Sequence, residues 1–148
     1  VDELRELYQQ LILDHNKSPR NFHVMDEPCE STEGYNPLCG DKLTLYVKIE
    51  DDVVADISFV GSGCAISKAS ASIMTEEIKG KPVDEAKVIF ENFRDMITTG
   101  KVNKEELGKL EVLSGVYKFP SRVKCAILSW HTLKNILDNE SGSVASTE

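Results

Sequence analysis

The sequence predicts an α+β domain: a small antiparallel sheet of about three strands, packed between an N-terminal helix and a helical C-terminal half. Three observations carry that reading. Two consecutive stretches, KLTLYVKIE at 42–50 and VVADISFV at 53–60, alternate apolar and polar residues across a short acidic turn. Before and after them, apolar residues step by three and four, the spacing of a helix face. Glycine or proline marks each change of pattern, at Pro19, Gly80, Pro82, Gly100 and Pro120.

Taken in order, residues 2–16 form a helix with Leu4, Leu7, Tyr8, Leu11 and Ile12 on one stripe and acids in its first turn. NKSPRN ends it, because the residue before a proline disfavours helix. Residues 21–38 are polar and turn-rich, with a short strand near 28–33. The hairpin follows, with Leu43, Leu45, Val47 and Ile49 on one face of its first strand and Ala55, Ile57 and Phe59 on one face of its second. CAISKASASIMTEEIKG is a helix whose Ala- and Ser-rich first turns suit close packing against another backbone. Pro82 opens a third helix, with Asp84 and Glu85 in its first turn and Val83, Ala86, Phe90, Phe93 and Ile97 stepping toward Gly100. Residues 101–119 read as a short helix and a loop. Pro120 opens the last helix, which carries Val123, Ile127, Trp130 and Leu137 to about 138. One domain, 1–138, is expected, with 139–148 (NESGSVASTE) a disordered tail.

A chain of 148 residues can bury a core without staples. Seventeen Lys and Arg against 25 Asp and Glu give a net charge of −8, which argues against nucleic acid or an anionic membrane as partner. No apolar run approaches membrane-spanning length and no charged-then-apolar leader precedes the first helix, so the cytoplasm is the expected compartment. The chain starts at Val1 rather than a methionine, which leaves an upstream export signal open.

Of the four cysteines, Cys29 has no glycine beside it and reads as packing. The others differ. Cys39 lies in PLCGD and Cys64 in GSGCAIS, at the two outer ends of the hairpin. If Ile49 pairs with Val53, Asp41 lies opposite Gly61 and Cys39 opposite Gly63, next to Cys64. A slip of one or two residues would not separate them. Cys64 starts a helix, where the partial positive charge favours thiolate. Nothing in the spacing forces Cys125 to join, but it repeats the placement near a helix start, beside Lys124 and close to Arg122. Three thiolates and a carboxylate would make a four-coordinate zinc site. His15, His23 and His131 show no ligand spacing.

PLCGD, GSGCAISKASAS and RVKCAILSW, in this order, resemble the U-type iron–sulfur cluster assembly family, IscU/SufU, from the first helix to about residue 138. The resemblance implies a three-stranded antiparallel sheet with helices on one side, and a single metal or cluster site made by Cys39, Asp41, Cys64 and Cys125. Scaffold members carry histidine where this chain has Lys124, and LPPVK where it reads KFPSRVK. Residues 101–119 look like the extra segment of the SufU branch. The resemblance thus implies a zinc-bound sulfur acceptor serving a SufS-type cysteine desulfurase and passing sulfur to a downstream scaffold or apo-protein. Cys39 would be the acceptor and Arg122 would engage the partner. Two alternatives stay open: an IscU-like scaffold holding a transient [2Fe–2S] cluster made labile by Asp41, and a structural zinc module for protein binding.

Overall fold

The computed structural model describes residues 2–101, 107–138 and 145–146. Its sheet begins with β1 (Glu30–Asn36), β2 (Asp41–Glu50) and β3 (Val53–Ser62), each antiparallel to the one before. A two-residue strand, β4 (Ala145–Ser146), adds in parallel to Gly34 and Tyr35, giving the order β3-β2-β1-β4. The remaining residues of the expected 139–148 tail lie outside the described residues.

The expected strand near 28–33 lies two to three residues further along. Its inward positions are Thr32, Gly34 and Asn36, with Ser31, Glu33 and Tyr35 facing out. A strand whose buried side holds no large apolar residue leaves little hydrophobic alternation to read. In the hairpin, Lys42 pairs with Ser62, so the register is two residues from the Ile49–Val53 frame and Asp41 falls toward Gly63 rather than Gly61. One residue comes from the turn, where Glu50 rather than Ile49 pairs with Val53, and one from a bulge: Lys48 pairs with Asp56 but Ile49 with Val54, leaving Ala55 as the extra residue. Val54 therefore takes the core position expected of Ala55, and both Val54 and Ile57 are fully buried.

Four helical elements surround the sheet: α1 (Asp2–Lys17), α2 (Ala65–Ile78), α3 (Val83–Thr99) and α4 (Pro120–Leu137). Between α3 and α4, Gly108–Lys118 forms a continuous run of 3-10 turns in place of the expected short helix and loop. It buries Leu110, Leu113 and Val116, which recur at the three-residue repeat of that helix. Residues 102–106 lie outside the described residues. On α1, Tyr8, Leu11 and Ile12 pack against the core, while Leu7 is 60% exposed. The Leu4 side chain is outside the described residues.

Polar contacts lock the helices together. The buried His15 Nδ1 lies 2.7 Å from Ser72 Oγ, which accepts the Arg20 backbone N–H at 2.8 Å and so joins α1 to α2. Ser70 Oγ donates to the Ala126 carbonyl at 2.6 Å and accepts from Trp130 Nε1 at 3.3 Å, joining α2 to α4. This is the close packing that the small residues of α2 predict. Trp130 is fully buried and stacks on Phe93, 4.6 Å between ring centres.

Helix α4 reaches β1 through Gly34, where an added Cβ would lie 2.2 Å from Thr132 Oγ1 and 3.3 Å from Leu128. Gly34→Val is expected to lower unfolding stability by about 1–3 kcal/mol through overpacking. Urea denaturation measures it, and an unchanged midpoint would show that α4 does not rest on this strand.

Candidate metal centre

The chain reverses between β1 and β2 in four residues, 37–40, and pairs Asn36 with Asp41. Gly40 closes the reversal with φ of +72°, a left-handed angle that side-chain-bearing residues seldom take. This loop carries Cys39 into solvent while Asp41, at the first position of β2, is fully buried. At the far end of the hairpin, β3 delivers Gly63 and Cys64 beside that carboxylate. A Cβ on Gly63 would lie 2.6 Å from Asp41 Oδ1, so only glycine admits the approach. Asp41 Oδ1 accepts the Cys64 backbone N–H at 2.8 Å, and Cys64 Sγ stands 4.0 Å from Oδ2. Cys64 is also the N-cap of α2, its sulfur accepting the Ser67 N–H at 3.4 Å.

Cys125 comes from α4, five residues after Pro120, and is 3% exposed. Its Sγ lies 3.3 Å from Cys39 Sγ. The sulfurs of Cys39 and Cys125 and one Asp41 oxygen fall within 4.8 Å of one another, the one such group of potential metal ligands among the described residues. Cys64 stands just outside this trio, held by its cap. Three of the four residues that the sequence singled out thus form one group, and Cys64 lies beside it, 4.0 Å from Asp41 Oδ2.

Two expectations need correction. Placement near a helix start suggested a thiolate-favouring Cys125. Instead, burial pushes its thiol pKa up from 9.0, and the neighbouring Asp41, Cys39 and Cys64 push it further. At five residues past Pro120 it sits beyond the unpaired N–H groups of the first turn, so burial decides. The sequence reading also passed over Asn36. Its side chain is fully buried, and Nδ2 donates to Asp41 Oδ2 at 3.1 Å and to Cys125 Sγ at 3.5 Å. The signal was the shortness of the 36–41 connection, which forces its two ends to pair.

Elsewhere, the half-buried Cys29 directs its thiol toward the Met25 carbonyl at 3.7 Å, and burial raises its pKa, with Glu27 and Asp26 adding to the effect. Arg122 lies with its guanidinium 4.4 Å from the ring centre of Phe119, and both residues are exposed beside the start of α4. The exposed Leu38 belongs to the same loop as Cys39.

The donor set fits a thiophilic cation. Asp41 is a fully buried carboxylate with no Lys or Arg partner among the described residues, and an uncompensated buried charge is costly. Sulfur-rich sites with one oxygen suit zinc or iron–sulfur chemistry rather than magnesium or calcium.

Comparison with known proteins supplies the wider frame. Residues 7–126 match the family model described as NifU-like N terminal domain. The zinc-dependent sulfurtransferase SufU of Bacillus subtilis is 44% identical over 140 residues, 94% of this chain and 95% of that protein. The iron–sulfur cluster assembly scaffold protein IscU of Streptococcus pyogenes is 40% identical over 139 residues, 93% and 86% of the two chains. A crystal structure of a candidate cluster assembly scaffold for the SUF system from Fervidobacterium islandicum superposes with a TM-score of 0.81 at 36% identity, covering 86% of this chain and 94% of that one.

The raised thiol of Cys125 makes metal-free stability fall with alkali. The folded state keeps a proton that the unfolded state loses above pH 9, so the contribution is complete below that pH and lost above it. Urea melts of metal-free protein are expected to show stability falling as the pH rises above 9. Cys125→Ala should flatten the slope, and an equal slope in that variant would place the raised thiol elsewhere.

Proposed function

The chain belongs to the NifU-like N-terminal domain family, and from that premise we propose that it is a zinc-dependent sulfur acceptor for a cysteine desulfurase, with Cys39 as the accepting thiol. One observation carries the choice of thiol. Cys64 Sγ accepts the Ser67 N–H, and Cys125 Sγ accepts from Asn36, whereas no N–H donates to Cys39 Sγ among the described residues. A hydrogen bond to a thiolate stabilises its charge and draws on its lone pairs; the donor to Cys39 Sγ is the Cys125 thiol at 3.3 Å, a bond lost once that thiol gives up its proton, so Cys39 is then left the most nucleophilic. Cys39 is also the exposed one.

Cys39, Asp41, Cys64 and Cys125 would hold the zinc, which keeps coordinated thiols deprotonated at neutral pH. Cys39, on its loop, can turn toward a donor while the strand residue and the two helix cysteines hold their places. Its thiolate attacks the outer sulfur of the desulfurase persulfide. A sulfur–sulfur bond forms at Cys39 as the donor's bond breaks, and the electron pair leaves with the donor's cysteine thiolate. No external oxidant or reductant is needed. Arg122, steadied over Phe119, offers a fixed cation for an acidic or carbonyl group on the docking enzyme. Sulfur then passes to a downstream scaffold or apo-protein.

The scaffold reading has its own support in the IscU relative, which matches 93% of this chain. There the four residues would receive a [2Fe–2S] cluster as cargo, with Asp41 as the weak ligand that lets it leave.

Two experiments test the proposal. Elemental analysis should find one zinc per chain, lost in Cys39→Ala, Cys64→Ala and Cys125→Ala and kept in Cys29→Ala. Full zinc content in the Cys125 variant would remove α4 from the site. Incubation with a SufS-type desulfurase and cysteine should place one extra sulfur on Cys39, read by mass spectrometry, and accelerate the desulfurase. Cys39→Ser should abolish the acceleration. Persulfide mainly on Cys125 without acceleration would favour the scaffold instead.

A further inference from the structure

We infer that Asn36 is the positioning residue of the metal centre, holding Asp41 and Cys125 as its fixed pair and leaving Cys39 as the exchangeable thiol. The inference rests on the sulfur-acceptor reading and adds to it a cause within the chain. Asn36 is fully buried, and its Nδ2 reaches Asp41 Oδ2 at 3.1 Å and Cys125 Sγ at 3.5 Å. The amide's orientation follows from chemistry, since an oxygen in place of Nδ2 would face a carboxylate.

Its other end argues against simple packing. Asn36 Oδ1 is buried with no hydrogen-bond partner among the described residues. An unsatisfied buried carbonyl is destabilising, a cost that an apolar side chain of similar size would avoid. An amide kept there at that cost implies that its two donated hydrogen bonds matter. They act from one atom on both partners. Because β1 pairs Asn36 with Asp41, the donor and the carboxylate are fixed by the same strand ladder, while Cys125 is brought to them by α4. Asp41 Oδ1 is already committed to the Cys64 N–H, so Asn36 sets the direction of the remaining oxygen. Cys39 has no bond to Asn36 and sits on the loop, touching this arrangement through the Cys125 sulfur.

Cobalt(II) substituted for zinc gives a readout that needs no desulfurase. Loss of the N–H donor raises the energy of the Cys125 sulfur lone pairs, so Asn36→Leu should move the thiolate-to-cobalt charge-transfer band to longer wavelength. It should also speed metal loss to a chelator by roughly tenfold, the effect typical of removing a partner that orients a ligand. Asn36→Ser, which keeps a hydroxyl donor, should restore part of both. Asn36→Asp, of the same shape but without the donor, serves if the leucine variant fails to fold. A band unmoved in cobalt-loaded Asn36→Leu or Asn36→Asp overturns the role of Asn36 and leaves sulfur acceptance by Cys39 standing. A chain that takes up no cobalt overturns this inference and the metal-centre reading together.

Discussion

The Asp41 carboxylate accepts the Cys64 backbone N–H through one oxygen and the Asn36 amide through the other, and these two hydrogen bonds join three elements at one point. They tie the end of β1, the start of β2 and the entry to α2. A buried carboxylate needs such donors, because without them its desolvation would be uncompensated. The requirement reaches into the sequence around it. Gly63 is bare because a Cβ would strike Oδ1, and Cys64 offers its N–H because it stands at a helix entry with no earlier turn to bond.

The other half of the site depends on helix packing. Ser70 and Trp130 fasten α2 to α4, and Gly34 lets α4 settle onto β1. Cys64 and Cys125 therefore ride on two helices that are themselves locked together. The third thiol is on a loop outside that body. This difference in mechanical setting, more than any difference in residue type, separates the three cysteines.

The hairpin, the helix stripes and the approach of Asp41 to Cys64 were legible because each rests on a period of two or 3.6, or on the geometry of antiparallel pairing. The features that escaped depend on contacts distant in sequence. β1 hides its inward face behind Thr32, Gly34 and Asn36, whose value lies in fitting against α4 and Asp41. The bulge at Ala55 follows from how β3 meets β2, and the local pattern of VVADISFV allows either Val54 or Ala55 to face inward. For Cys125, adjacency to Lys124 suggested a positive surrounding, but burial dominates and the neighbours that add to it come from other elements.

The four-residue connection between Asn36 and Asp41 also sets a tether length. Cys39 stands three residues from the end of β1, and an extended chain spans at most about 3.6 Å per residue, so its sulfur can stray only on the order of 10 Å from that anchor. The pairing of Asp41 just two residues beyond shortens the leash further. A donor sulfur sunk deep in a pocket is out of range for such an arm. On the sulfur-acceptor reading, a delivering protein would have to supply the longer reach, carrying its persulfide out to the end of this sheet.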